Sequence, residues 1–148
     1  NPWVSLAGVM VALAWHLARA HAPLREVQLI GLATLVGAAF ESLLVYKGWV
    51  SIDSRLLLGG VLPVGMVALW AAFATTLNVS LRSLRRRGLL AAVLAGVAAP
   101  LAYAAGARLG ALDWVLAAPA LILIALGWAA IMPLLLRSAL RFDGYATP

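Results

Sequence analysis

The chain has 148 residues, of which 65% are hydrophobic and only 11% charged, whereas soluble domains are roughly 45–50% apolar and 25% charged. Its net charge of +6 is divided among short gaps between apolar runs and forms no continuous basic face, which argues against nucleic-acid binding. The absence of cysteine excludes disulfides, thiolate nucleophiles and thiolate metal sites. With a mean hydropathy of +1.02, the composition predicts an integral membrane protein.

Five apolar runs are long enough to form helices across a bilayer core of about 30 Å. They cover residues 3–20, 27–46, 56–77, 89–107 and 114–136. We interpret the prolines inside them as kinks, because membrane helices tolerate proline. The sequence therefore predicts an all-α, polytopic transmembrane bundle in a single domain with short loops. The chain begins with Asn1 rather than Met, so we expect residues upstream of it. A further span among them would raise the count to six.

The loops divide into two groups if the five helices alternate in direction. One group holds eight of the eleven Lys and Arg side chains: Arg19, Arg25, Arg82, Arg85, Arg86, Arg87, Arg137 and Arg141. Cationic side chains flanking membrane helices are retained on the cytoplasmic side, so this asymmetry predicts a cytoplasmic C-terminus. Tryptophans favour the membrane interface, and the opposite group of loops carries Trp3, Trp49 and Trp114.

Small residues indicate where helices approach each other closely in a membrane. The second span carries such a stripe at Gly31, Thr34, Ala38 and Glu41, and the fourth carries one that begins at Ala91 and continues at Ala95, Ala98, Ala102 and Ala105. We therefore expect these two helices to be central in the bundle.

Glu41 is the strongest candidate for a functional residue. It lies five residues before the end of its span, roughly 8 Å below the outer membrane boundary, where a carboxylate needs a partner. Arg108 ends the fourth span in the same leaflet, and Tyr103 offers a phenolic donor at a similar depth. Two interpretations remain open. The three residues either fix the helix register as a satisfied polar cluster, or line a cavity in which Glu41 exchanges protons and Arg108 holds an anion.

Other polar residues lie near the opposite boundary. We expect Thr75, Thr76 and Ser80 to bond to the carbonyls four residues earlier, Asn78 to bridge helices or cap its span, and His16 to be hydrogen-bonded. Arg108, Trp70 and Asn78 are the candidate substrate-binding residues. For Trp70, as for Trp128, the alternative interpretation is that the side chain only packs in the core or against lipid. The two histidines are five residues apart and do not share one helix face, so no metal or other cofactor is predicted.

The chain resembles DUF2878, a family of small bacterial inner-membrane proteins. The resemblance rests on Glu41-Ser42, the segment P-V-G-M-V-A-L-W-A-A-F-A-T-T-L-N (63–78), the segment P-L-A-Y-A-A-G-A-R-L-G-A (100–111), and Gly127-Trp128. It implies a bacterial inner-membrane location and an extra apolar segment before Asn1, and it implies no known activity. Members of the family tend to be encoded near enzymes that modify membrane fatty acids, which favours a role with lipids by association only.

Three functional hypotheses follow. The first is modification or handling of membrane lipids through an outer-leaflet cavity lined by Glu41, Tyr103 and Arg108, with membrane lipids as partners. If such a protein is an enzyme, Glu41 and Tyr103 are the catalytic candidates. The second is a proton-coupled transporter of a lipid or small solute, although no inverted repeat is visible. The third is a non-catalytic scaffold for a partner membrane protein, which predicts that the Glu41 cluster is sealed.

Overall fold

The computed structural model describes residues 2–52, 57–58 and 62–146, and these are mainly helical. Five α-helices follow in chain order: α1 (Pro2–Arg19), α2 (Pro23–Tyr46), α3 (Val64–Ala74), α4 (Gly88–Arg108) and α5 (Ala117–Arg141). Between them lie a 3-10 turn (Arg82–Leu84) and four two-residue strands: β1 (Val50–Ser51), β2 (Leu57–Leu58), β3 (Leu62–Pro63) and β4 (Asp113–Trp114). The prediction of an all-α bundle is confirmed.

Three of the described helices, α2, α4 and α5, are long and apolar enough to cross a membrane. Helix α1 is apolar but shorter, and α3 has only 11 residues, which corresponds to about 16 Å, or half of a bilayer core. The prediction of one helix over 56–77 is therefore wrong in its length. Residues 56 and 59–61 of that range lie outside the described residues.

Helix α3 is short because a strand pair precedes it in the chain and tight turns follow it. Before it, β2 pairs antiparallel with β3, and Pro63 takes the N-cap position in an extended conformation, which agrees with the bias of proline and its preceding residue against helix. After it, the Thr75 and Thr76 hydroxyls each donate at 2.7 Å to a carbonyl three residues earlier. The expected bonds to carbonyls four residues earlier are therefore replaced by tighter turns.

Two groups of loops define the two ends of the bundle, as alternation of helix direction predicts. At the first, which we call the β1–β4 end, Val50 pairs with Trp114 and Ser51 with Asp113. At the second, the C-terminal end, the Ala22 N–H donates to the Gly144 carbonyl at 2.9 Å. Which end faces the cytoplasm stays a prediction.

Helix α2 is central, since it packs against α1, α3 and α5, whereas α4 packs mainly against α5. The prediction that both would be central is right for α2 only. The predicted small-residue stripe of α2 is also rotated relative to the observed one, because Gly31 is exposed while Ala33, Gly37 and Glu41 are buried. On α4, Ala91 and Ala95 are buried as predicted, whereas the other members of the predicted stripe, Ala98, Ala102 and Ala105, are exposed.

Candidate functional site

A cavity of about 390 Å³ lies among α2, α3, α4 and α5. Its lining is almost entirely hydrophobic and aromatic, with Glu41 as the charged side chain in its wall. Along α4 the lining runs from Ala95 to Gly106, a length of about 16 Å at 1.5 Å per residue. The cavity is therefore an elongated apolar space that holds one carboxyl group.

Three helices supply the polar cluster in this wall. Glu41 comes from α2 and is only 2% exposed. Its Oε1 accepts a hydrogen bond from the Trp70 indole N–H of α3 at 3.3 Å and a second, short one from the Tyr103 hydroxyl of α4. These two donors are the partners that a buried carboxylate needs.

An aromatic cluster forms the adjoining wall of the cavity. Trp70 and Trp128 stack with their ring centroids 4.7 Å apart and their planes at 18°. Phe73 meets both rings edge-on, at 5.8 Å from Trp70 and 5.3 Å from Trp128. Such edge-on and offset contacts are favoured by the ring quadrupoles, so this wall is rigid and holds the Trp70 indole in place to donate to Glu41.

Two glycines make room for these aromatic rings. A Cβ on Gly37 would lie 1.9 Å from Cδ2 of Trp70, and one on Gly127 would lie 2.3 Å from Cε2 of Phe40. Both distances are far below the normal contact distance of about 3.5 Å between carbon atoms. The rings therefore rest directly on bare helix backbone, which places Trp70 deep enough to reach the carboxylate.

The cavity opens sideways, between α3 and α4. Its lining includes Leu69 of α3, which is 61% exposed, and Ala98 and Ala102 of α4, which are also exposed. Close packing between helices is instead found between α4 and α5 and between α2 and α3. The opening therefore lies on the side of the bundle, between two helices, and not at either of its ends.

The structure brings together Glu41, Tyr103 and Trp70 but not the other two candidates. Arg108 is exposed at the end of α4, and the ion pairs recorded among the described residues do not include one between Arg108 and Glu41. The expected pair is therefore wrong: Tyr103, one turn further into the bundle, takes the place of the arginine. Asn78 lies in a second cluster at the C-terminal end.

That second cluster is built around Glu26, which is completely buried. Its Oε2 lies 2.8 Å from the His16 Nε2. Its Oε1 accepts from the Asn78 Nδ2 at 2.6 Å and from the Gly144 N–H at 2.8 Å. The Tyr145 hydroxyl donates to the His16 carbonyl at 2.6 Å. These bonds attach the segment after α5 to α1, α2 and the turns after α3.

His16 and Asn78 both form hydrogen bonds, as predicted, and Asn78 connects Glu26 of α2 to the Phe142 carbonyl after α5. The role of Glu26 was not predicted. A signal was present, because Pro23 followed by an acidic residue in the first turn is a typical helix start, and α2 does begin at Pro23. Among the described residues no group of three or more His, Asp or Glu side chains lies together in an arrangement that could hold a metal ion.

The fold and its cavity define a class: a polytopic helical membrane protein with a laterally open, mostly apolar cavity. The chain belongs to the family described as a protein of unknown function (DUF2878), whose sequence profile matches residues 1–134. The predicted resemblance is thereby confirmed. Comparisons with curated proteins and with solved structures gave no match.

Proposed function

We propose that this protein binds one amphiphile from the surrounding bilayer, as part of the handling or modification of membrane lipids in a bacterial inner membrane. The observation that carries the proposal is the placement of a single buried carboxyl group, Glu41, in the wall of an otherwise apolar, laterally open cavity. Ligand sites typically combine such an apolar lining with a few polar groups that fix orientation.

The size of the cavity favours a single chain. Its volume of about 390 Å³ lies near the lower end of the usual range of about 300–1,000 Å³ for ligand sites. A chain lying along α4 would occupy the apolar part. Glu41 and Tyr103 lie toward the β1–β4 end of the cavity, so the polar end of the amphiphile would meet them there. If the protein is an enzyme, these two groups supply its general acid and base.

The cavity also bears on the competing hypotheses. A pure scaffold predicts a sealed polar cluster, and the 2% exposure of Glu41 agrees with that prediction. What favours ligand binding over a scaffold role is the exposed rim of the cavity, formed by Leu69, Ala98 and Ala102. A proton-coupled transporter remains a second candidate, because α2 carries buried carboxyl groups near both of its ends, Glu26 and Glu41. Such a transporter would require proton access to each group in turn.

Analysis of bound lipid tests the proposal. The full chain is purified in mild detergent and its retained lipids are quantified by mass spectrometry. We expect about one acyl-chain amphiphile per wild-type protein, and an at least tenfold loss of retention in Ala102→Phe, which corresponds to about 1.4 kcal/mol. Ala105→Phe is the matched control, since Ala105 is on the same helix, exposed, and outside the cavity lining.

The results separate the hypotheses. Equal retention in Ala102→Phe, Ala105→Phe and wild type would overturn binding in the cavity. If binding holds, Glu41→Gln shows what the carboxyl group does. A changed acyl or headgroup profile in cells that carry this variant supports lipid modification or handling. An unchanged profile together with lost proton uptake in vesicles supports transport instead.

A further inference from the structure

A second pocket, of about 380 Å³, lies at the C-terminal end of the bundle and is separate from the cavity. Its wall is mainly polar. It is formed by the turn between α3 and α4 together with the end of α5 and the segment that follows, and its lining residues are Arg82, Ser83, Arg85, Arg86, Leu140 and Asp143.

Arg85 is the buried arginine of this pocket. Its side chain is only 3% exposed, and its Nη1 donates to Asp143 Oδ2 at 2.7 Å and to the Ala139 carbonyl at 3.4 Å. Its Nη2 is buried and has no hydrogen-bond partner among the described residues. Leaving a buried charged donor unpaired is costly, so the Arg85 Nη2 is free to donate to a further anionic oxygen.

The charges around the pocket do not balance. Three arginines face one carboxylate, Asp143, which gives a local excess of two positive charges. Although its burial acts in the opposite direction, hydrogen bonds from Arg85 and from the Tyr145 backbone N–H, together with the positive charges of Arg85 and Arg82, lower the pKa of Asp143 below its usual value, so it remains ionised at neutral pH. Arg82 lies 3.4 Å from Asp143 with 54% of its side chain exposed, and Arg86 is exposed and forms no ion pair among the described residues.

We propose that this pocket binds a phosphate group. Arginine presents several N–H donors in a planar fork that matches the oxygens of phosphate. Arg85 would hold one side of the anion, the exposed Arg82 and Arg86 would bind its outer side, and the Ser83 hydroxyl adds a further donor. The site is independent of the amphiphile cavity, because the two share no lining residue.

The pocket lies just beyond the ends of the membrane-length helices α4 and α5, which is the depth of lipid headgroups. The phosphate can therefore come from an anionic phospholipid, or from a soluble phosphate compound that approaches from the same side. Both sources offer the same group to the arginines, and they differ in whether a membrane is needed.

Lipid binding to the full chain in nanodiscs or neutral detergent tests the site. Native mass spectrometry would measure binding of phosphatidylglycerol against phosphatidylcholine, and inorganic phosphate would be added as the soluble competitor. In the double variant Arg82→Gln/Arg86→Gln we expect affinity to fall about 30-fold, since each surface arginine contributes about fivefold. Both residues are exposed, so the variant should fold.

Arg137→Gln, at the same end but outside the pocket lining, is the matched control and should bind as wild type does. Tight phosphatidylglycerol binding that inorganic phosphate does not displace assigns the site to a lipid headgroup. Displacement by millimolar phosphate, lost in the double variant, assigns it to a soluble phosphate. Equal affinity of the wild type, the double variant and the control for both probes would overturn the proposal.

Discussion

Replacing Gly37 by alanine tests the packing on which the cavity depends. The new Cβ would lie 1.9 Å from Cδ2 and 2.3 Å from Cγ and Cε2 of Trp70, so the ring would have to retreat by about 1.6 Å to reach normal contact near 3.5 Å. It has little room, because Trp70 is 3% exposed and stacked on Trp128. Overpacking of this kind costs about 1–3 kcal/mol.

The gain of helix propensity from glycine to alanine, about 0.5–1 kcal/mol, offsets part of that cost. We expect Gly37→Ala to lower the free energy of unfolding by about 1 kcal/mol in total and to reduce lipid retention, because a displaced Trp70 no longer donates to Glu41. Unfolding in mixed detergent micelles, followed by far-UV circular dichroism, measures the first effect without relying on tryptophan fluorescence.

Gly31→Ala is the matched control on the same helix. Gly31 is exposed and a Cβ there meets nothing within 4 Å, so the variant should be neutral or more stable by up to about 1 kcal/mol. If Gly37→Ala proves as stable as Gly31→Ala, Trp70 does not rest on α2. If the penalty falls on Gly31 instead, the packing stripe predicted from sequence is the correct one.

Further predictions concern the C-terminal end. Glu26→Ala should destabilise the protein by about 3 kcal/mol or more, because it leaves buried partners unpaired. Glu26→Gln should cost much less, since the amide oxygen can still accept from Gly144 and Asn78; unfolding measurements compare the two. Gly144→Ala should release the final segment to trypsin cleavage after Arg141, because its Cβ would lie 2.5 Å from Cγ of Glu26. The lowered pKa of Asp143 means that its ion pair stabilises the fold above its usual pKa of about 3.9 and that this contribution is lost as pH falls through the lower folded value. Wild type should therefore lose more stability between pH 6 and pH 3 than Asp143→Asn, and equal losses would contradict the assignment.

Much of the architecture could be predicted because bilayer thickness and the alternation of helix direction constrain it strongly. The lengths of the apolar runs predicted where the helices lie. Alternation of helix direction predicted that the loops containing β1 and β4 lie at the same end of the bundle, and these two strands pair. Glu41 and Tyr103 were predicted at a similar depth because Glu41 lies five residues, and Tyr103 four residues, before the end of the predicted span. Depth follows from counting residues along a helix of known rise, and so it could be read from sequence.

Helix rotation and long-range contacts could not be predicted in the same way. A helix that is apolar on every side has no polar face to indicate its orientation, so the stripe through Gly31 and the stripe through Gly37 were equally plausible from spacing alone. Glu26 was missed because its burial depends on Gly144, far away in the chain. The short α3 was missed because hydropathy does not distinguish a strand pair from the start of an apolar helix.

The sequence and the structure differ most clearly on the partner of Glu41, which is Arg108 in the prediction and Tyr103 in the structure. Two variants decide between these residues. Depth and charge alone favour Arg108, since opposite charges in one leaflet attract. The structure favours Tyr103, whose hydroxyl donates to Glu41 while Arg108 is exposed. Tyr103→Phe removes a donor from a buried carboxyl group and should cost about 1–3 kcal/mol of unfolding free energy. Arg108→Gln removes an exposed cation and should change stability by less than about 0.5 kcal/mol. A larger loss in Arg108→Gln than in Tyr103→Phe, measured in the same micelles, would mean that the arginine folds back onto Glu41 and that the cavity wall contains an ion pair.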